Sequence, residues 1–175
     1  MKKILLIVLI AFSFSGCEKD DICDEATSTT PKITIEFFSI SAPLTSISVV
    51  KLRAKATTIA ESVVFDASLP STNPLRFLSN AKKVSLPLNT FTDNTIYELT
   101  LNSGNIATQN TGVVTFNYSK NTVFVSRACG YKITFDLTNT NSNLLTTDTN
   151  NWIKDITITK PNIENENETH IKIYF

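Results

Sequence analysis

The chain has 175 residues, with 16 basic and 16 acidic side chains, one histidine and three cysteines. That length reads as one domain with a real core. Zero formal charge without clustered Lys and Arg excludes the basic footprint of a nucleic-acid binder, and a lone histidine excludes a site built on several imidazoles.

Met1-Lys2-Lys3 is a short basic start, and Ile4 to Phe14 is an apolar run of 11 residues, well below the ~20 that span a bilayer as a helix. The length predicts a signal peptide over residues 1–16. The small pair Ser15-Gly16 before Cys17 suits a lipoprotein signal peptidase, which would leave Cys17 carrying diacylglycerol on its sulfur. The alternative is an ordinary cleaved signal with a chance cysteine, and Phe14 departs from the leucine most common at its position. Acyl chains contribute ~0.8 kcal/mol per buried methylene, so two or three hold a protein on a membrane without a spanning helix. Glu18-Lys19-Asp20-Asp21 follows at once, and Lys19, Asp20 and Asp21 resemble the surface-export signal of Bacteroidota lipoproteins. The expected address is the outer membrane, lipid-anchored and facing the cell exterior; the alternative is a solvated tether on the periplasmic face.

Losing Lys2 and Lys3 with the signal leaves 14 basic against 16 acidic residues. Threonine occurs 25 times and asparagine 17 times, against three glycines (Gly104, Gly112, Gly130) past residue 16. Threonine favours pleated strands and asparagine supplies turns, including left-handed positions that glycine fills elsewhere.

Residues 17–31 read as a lipidated polar tether and residues 32–175 as the domain. Ile33, Ile35 and Phe37 alternate with Thr34 and Glu36, the pattern of a half-buried strand. From Ser46 to Ala56 a second strand is expected, with Val50, Leu52 and Ala54 inward and a basic outer row of Lys51, Arg53 and Lys55. After the short apolar piece Ser62 to Phe65, Pro70 and Pro74 break the segment Ala67 to Asn80 too often for a helix. Val84, Leu86 and Leu88 alternate around Pro87, which lacks a ladder donor and predicts an edge strand.

Four clearer strands follow: Thr95 to Leu101, Val113 to Tyr118, Thr122 to Arg127 and Tyr131 to Leu137. Asn102-Ser-Gly-Asn105 and Asn110-Thr-Gly112 read as turns, and Lys120-Asn121 as the tip of a hairpin. The segment Thr138 to Asn151 holds five asparagines (Asn139, Asn141, Asn143, Asn150, Asn151) and reads as a long loop. Trp152 to Lys160 and Thr169 to Phe175 close the domain around the charged tip Glu164 to Glu168.

About nine or ten short alternating strands without helical periodicity predict an all-β domain, an antiparallel β-sandwich with a β-barrel as the alternative. With Cys17 assigned to lipid, Cys23 and Cys129 remain. In an oxidising compartment they are expected to pair, the alternative being a free thiol in the leader and a buried hydrophobe.

Cys17-Glu-Lys-Asp-Asp-Ile-Cys23, Pro31-Lys-Ile-Thr-Ile-Glu-Phe37 and Val125-Ser-Arg-Ala-Cys-Gly-Tyr131 resemble a family of small, functionally uncharacterised Bacteroidota lipoproteins. The resemblance implies the same address, the Cys23 to Cys129 bridge and an all-β domain, and no activity.

No nucleophile elbow, zinc-protease helix, P-loop or dinucleotide fingerprint occurs. His170 lies opposite Ile171 and Ile173 in the alternation and reads as a solvated residue. Glu36, Glu98 and Asp136 lie in strands and would have to meet across a sheet to serve a glycosidase. Tyr131 is in register with Ile133 and Phe135, and Tyr118 with Phe116, so both read as core. Trp152, following the asparagine-rich loop, reads either as packing or as a ligand contact. Arg127 shares a face with Val123 and Val125, and an inward arginine would need Glu98 or Asp136 as partner. The expected function is a non-enzymatic binding or structural module for an envelope protein or extracellular ligand, with neither cofactor nor metal. The alternatives are a carboxylate-dependent surface hydrolase and a barrel carrying a small apolar ligand.

Overall fold

The computed structural model describes residues 22, 23, 27, 29–137 and 151–175. The signal peptide, Cys17, the Lys19-Asp20-Asp21 run and the asparagine-rich loop other than Asn151 lie outside the described residues. Nine strands run in the order β1 (Ile33–Phe38), β2 (Arg53–Ala56), β3 (Lys83–Leu86), β4 (Asn94–Leu101), β5 (Asn110–Ser126), β6 (Gly130–Leu137), β7 (Asp155–Ile158), β8 (Asn162–Ile163) and β9 (Ile171–Tyr174).

They form two sheets, one ordered β3-β1-β9-β7 and the other β2-β4-β5-β6-β8. The sheets are separate and open at their edges, which makes a sandwich and removes the barrel. The β1 and β9 strands pair in parallel, Ile35 opposite Ile171 and Phe37 opposite Ile173, and the other pairings among the described residues are antiparallel. β3 sits at an edge, as the proline after it requires.

The alternation read from the sequence sets the core. Ile33, Ile35 and Phe37 from β1 meet Tyr97 and Leu99 from β4 and Val114, Phe116 and Tyr118 from β5. Each such fully buried side chain contributes about 1.5–3 kcal/mol through apolar area removed from water. A cluster of rings closes one end: Trp152 lies 6.3 Å from Phe37 and 5.2 Å from Phe175 between centroids.

Five local expectations are corrected. Only Arg53–Ala56 of the second expected strand pairs as a ladder, because Lys51 adopts a φ of 47° and shifts the alternation by one. Val49 therefore points inward, Val50 is exposed, and Leu52 resumes the buried phase. The Val50 and Lys51 carbonyls accept from Asn102 and Ser103, so the kink is tied to the turn after β4.

Lys120-Asn121 is not a hairpin tip, and Asn110-Thr-Gly112 is the beginning of a strand. β5 runs unbroken for 17 residues, pairing with β4 up to Asn117 and with β6 from Tyr118 onward. A two-residue hairpin loop needs positive φ at its centre, and among the described residues other than glycine only Lys51 and Asn102 have it. The reversal occurs at residues 127–129, where Gly130 adopts a φ of 70° and Cys129 N–H donates to Ser126 Oγ at 3.0 Å. As the β5–β6 ribbon runs past the sandwich, Tyr131 is 69% exposed against Phe124 rather than buried, and Arg127 is exposed in the turn rather than inward.

Gly112 marks a close approach. A Cβ built there would lie 2.5 Å from Asn151 Oδ1 and 2.7 Å from Ile153 Cδ1. Gly112→Ala is therefore expected to destabilise the domain by about 1–3 kcal/mol through overpacking. The check is the denaturant midpoint, and an unchanged midpoint would show that Asn151 and Ile153 are not held against β5.

Candidate functional site

Three regions hold the chemistry-bearing side chains. The first is the tether junction. Cys23 and Cys129 form a disulfide with Cα atoms 4.9 Å apart at a sequence separation of 106. In the chain-entropy account, a loop of that size is worth ~4.7 kcal/mol as an upper figure. Further along, Ile133 N–H donates to Thr30 Oγ1 at 3.1 Å, which ties Thr30 to β6.

The second is His170, which is 1% exposed rather than solvated. It sits just before β9 and forms a two-way link with β1: its N–H donates to the Thr34 carbonyl, and Thr34 N–H donates to its Nδ1 at 2.9 Å. An accepting Nδ1 fixes the neutral tautomer protonated on Nε2. Burial pushes its pKa below the usual histidine value, against the pull of Glu168 and Glu166 and with the help of Lys83. Around it, Thr169 Oγ1 donates to Glu36 Oε2 at 2.9 Å and Lys32 N–H to Glu166 Oε1 at 3.2 Å. Burial likewise raises the Tyr97 and Tyr118 phenols; Tyr97 donates to the Pro87 carbonyl at 2.5 Å, bridging the two sheets.

The third is a groove of about 340 Å³ on the outer face of the second sheet, lined by Arg53 and Lys55 of β2, Glu98 and Thr100 of β4 and Thr111 of β5. Register explains the grouping. Arg53 stands opposite Thr100, which stands opposite Thr111, so one row crosses three strands; Lys55 stands opposite Glu98 in the next row. Ala60 and Ser62 wall the β2 edge, and Ser103 and Gln109 close the end. The Thr100 and Thr111 hydroxyls are 2.8 Å apart. Arg53 Nε is shielded from solvent and has no hydrogen-bond acceptor.

The carboxylates singled out from the sequence do not meet. Glu36 is on the first sheet, engaged by Thr169 and 4.0 Å from Lys83. Glu98 and Asp136 share the second sheet, but opposite Val113 and Ser119 of β5. Six residues of strand separate those positions by about 20 Å, beyond the ~5–9.5 Å of paired glycosidase carboxylates. Trp152 is packing and not a surface ligand contact: its Nε1 donates to the Leu99 carbonyl at 2.9 Å and its ring lies among Phe37 and Phe175. An apolar cleft of about 360 Å³ lies at the Ile59, Pro87 and Phe91 side. Among the described residues no three His, Cys, Asp or Glu side chains converge as metal ligands, and no helix is long and apolar enough to cross a membrane.

The basic outer row was readable from alternation, whereas Thr100, Thr111, Ser103 and Gln109 join it only through strand register. Over residues 47–175 the chain matches the model of a family of unknown function, DUF6452. No curated protein and no solved structure matches it.

His170 makes a pH prediction. Its folded pKa lies below the unfolded value of about 6.5, so the fold holds it neutral and loses stability as pH falls below that value toward the folded pKa. His170→Ala should cost about 1–3 kcal/mol by leaving the Thr34 N–H unsatisfied. His170→Asn, which keeps an acceptor, should recover part of that loss and flatten the fall in melting midpoint between pH 7 and 5. An equally steep fall in the asparagine variant would assign the pH dependence elsewhere.

Proposed function

The chain belongs to the DUF6452 family of unknown function, and from its geometry we propose that it is a lipid-anchored, non-enzymatic binding module of the Bacteroidota outer membrane. Cys17 carries the acyl chains, Lys19, Asp20 and Asp21 direct the domain to the cell surface, and the groove around Arg53 and Lys55 is the binding surface. An envelope protein or an extracellular ligand is the partner.

The observation that carries this reading is the Cys23–Cys129 disulfide. Such bonds persist in oxidising compartments, which supports export. This one fixes to the sandwich a residue six positions after Cys17, so residues 18–22 alone separate the lipidated cysteine from a covalent attachment to the fold. A long flexible stalk would leave the domain free of its anchor; a five-residue leash, at most about 22 Å from Cys17 to Cys23, holds it close to the bilayer.

The binding half rests on the groove, where two cations face one carboxylate and a row of hydroxyls. The hydrolase reading has no comparable support, since Glu98 and Asp136 stand about 20 Å apart.

Metabolic labelling with an alkyne fatty acid is expected to mark the wild-type protein and to leave Cys17→Ala unlabelled. A wild-type protein that takes up no acyl label would remove the anchor. On intact cells, a membrane-impermeant amine reagent should modify exposed lysines of the domain, and complete protection would place it on the periplasmic face.

A further inference from the structure

We propose that the groove on the outer face of β2, β4 and β5 is a site for a phosphate or sulfate monoester carried on a hydroxylated molecule. This rests on the reading of that groove as the binding surface and names the ligand class.

The donor set supports an oxyanion. Arg53 and Lys55 are two apart on one strand face, which places their Cα atoms about 6.5 Å apart. Both line one cavity, so both cations can engage one bound group. Among the described residues neither makes an ion pair. Lys55 faces Glu98 directly across the ladder, yet no ion pair forms between them within 4.0 Å. Arg53 Nε is withdrawn from water without an acceptor, a state that costs free energy until an acceptor arrives. A guanidinium presents its donors as a fixed fork that matches carboxylate or phosphate oxygens.

Beside the cations stand the hydroxyls of Thr100, Thr111 and Ser103. A carboxylate has two oxygens, which the arginine fork alone would occupy. A tetrahedral monoester has three non-bridging oxygens, so when the fork takes two, a third remains to accept from both the lysine ammonium and the Thr100–Thr111 pair. The two threonine hydroxyls already contact each other at 2.8 Å, so one donates to the other and a donor hydrogen remains for the ligand. Glu98 is the acceptor left over, and it suits a hydroxyl on the carrier rather than the anion. No aromatic ring lines the groove, so a neutral sugar would find no stacking surface there. A cavity of about 340 Å³ falls in the lower part of the ~300–1,000 Å³ range of small-molecule sites.

The test is an amide-resonance titration of the full-length lipidated protein in micelles of an uncharged detergent, with glucose 6-phosphate, inorganic phosphate and glucose as probes. Glucose 6-phosphate is expected to shift the amides of Arg53, Lys55, Thr100 and Thr111, and glucose to shift none of them. Arg53→Gln should weaken that binding at least tenfold. Arg53→Lys, which keeps the charge without the fork, should fall between, with an unchanged melting midpoint as control for folding. Inorganic phosphate binding as tightly as the ester supports the oxyanion and shows that its carrier adds nothing; weaker binding supports a contribution from the carrier through Glu98. Glucose shifting the groove as strongly as its phosphate would overturn the ligand class while keeping the groove as a binding surface. Shifts confined to residues outside the groove, or none with either anion at millimolar concentration, would overturn both.

Discussion

The parallel pairing of β1 with β9 is the constraint on which the rest of the structure depends. β9 is far from β1 in sequence, with Ile35 opposite Ile171, yet it lies beside β1 inside the first sheet, between β1 and β7. Ile171 and Ile173 are fully buried and face the core built by β4 and β5. The sheet is therefore incomplete until β9 joins it, and contacts of this sequence separation are costly in loop-closure entropy. Register in a sheet with one buried face is sensitive to a one-residue slip, which would turn the whole isoleucine row outward. His170 and Thr34 prevent that slip with two hydrogen bonds where β9 begins. A buried polar pair of this kind adds little net stability beyond satisfying its own groups, and its effect is to specify one alignment.

A second tie acts at the opposite end of the strand. Trp152 stacks near Phe37 of β1 and donates to Leu99 of β4, so one side chain touches both sheets. The Phe175 ring packs edge-on against both Phe37 and Trp152 in that cluster. Tyr97 adds a second link between the layers through the Pro87 carbonyl. Each has a polar group at the end of a large apolar body, the type of side chain that can fill a core and satisfy a backbone carbonyl at once.

Most of the architecture was legible because alternation reports burial directly: Ile33, Ile35 and Phe37 are inward, and so are Val84, Leu86 and Leu88. What was hidden depends on relations that periodicity does not contain. The positive φ of Lys51 shifts the phase by one, so Val50 points outward although the pattern puts it inside. Tyr131 keeps the inward phase of Phe135, but near the turn end of the β5–β6 ribbon it packs edge-on against the exposed Phe124 and stays largely exposed itself. His170 looked solvated because alternation assigns a face without saying what covers it; here the outer face of β1 is covered by the chain of the 164–168 tip, through Glu166 and Thr34. The basic half of the candidate site was visible as the row of Arg53 and Lys55. Its hydroxyl half was not, since Thr100 and Thr111 become neighbours of Arg53 only when β2, β4 and β5 take their register.

The continuity of β5 joins the two functional proposals into one geometry. The strand begins beside the groove, at Thr111, and ends at Ser126, next to the turn that carries Cys129. Those 15 residue steps amount to about 50 Å of strand at most, before twist shortens it. A hairpin at Lys120-Asn121 would have folded the tethered end back toward the groove. Because the chain instead carries through, with Lys120 held by Asp93 at 3.0 Å, the disulfide and the groove occupy opposite ends of one rigid element. Under the anchor proposed at Cys17, the short leash would hold the ribbon end near the membrane, and β5 would carry Arg53 and its neighbours away from it. On that proposal the groove is the end offered to a ligand, and the exposed Phe124–Tyr131 pair marks the end nearer the anchor.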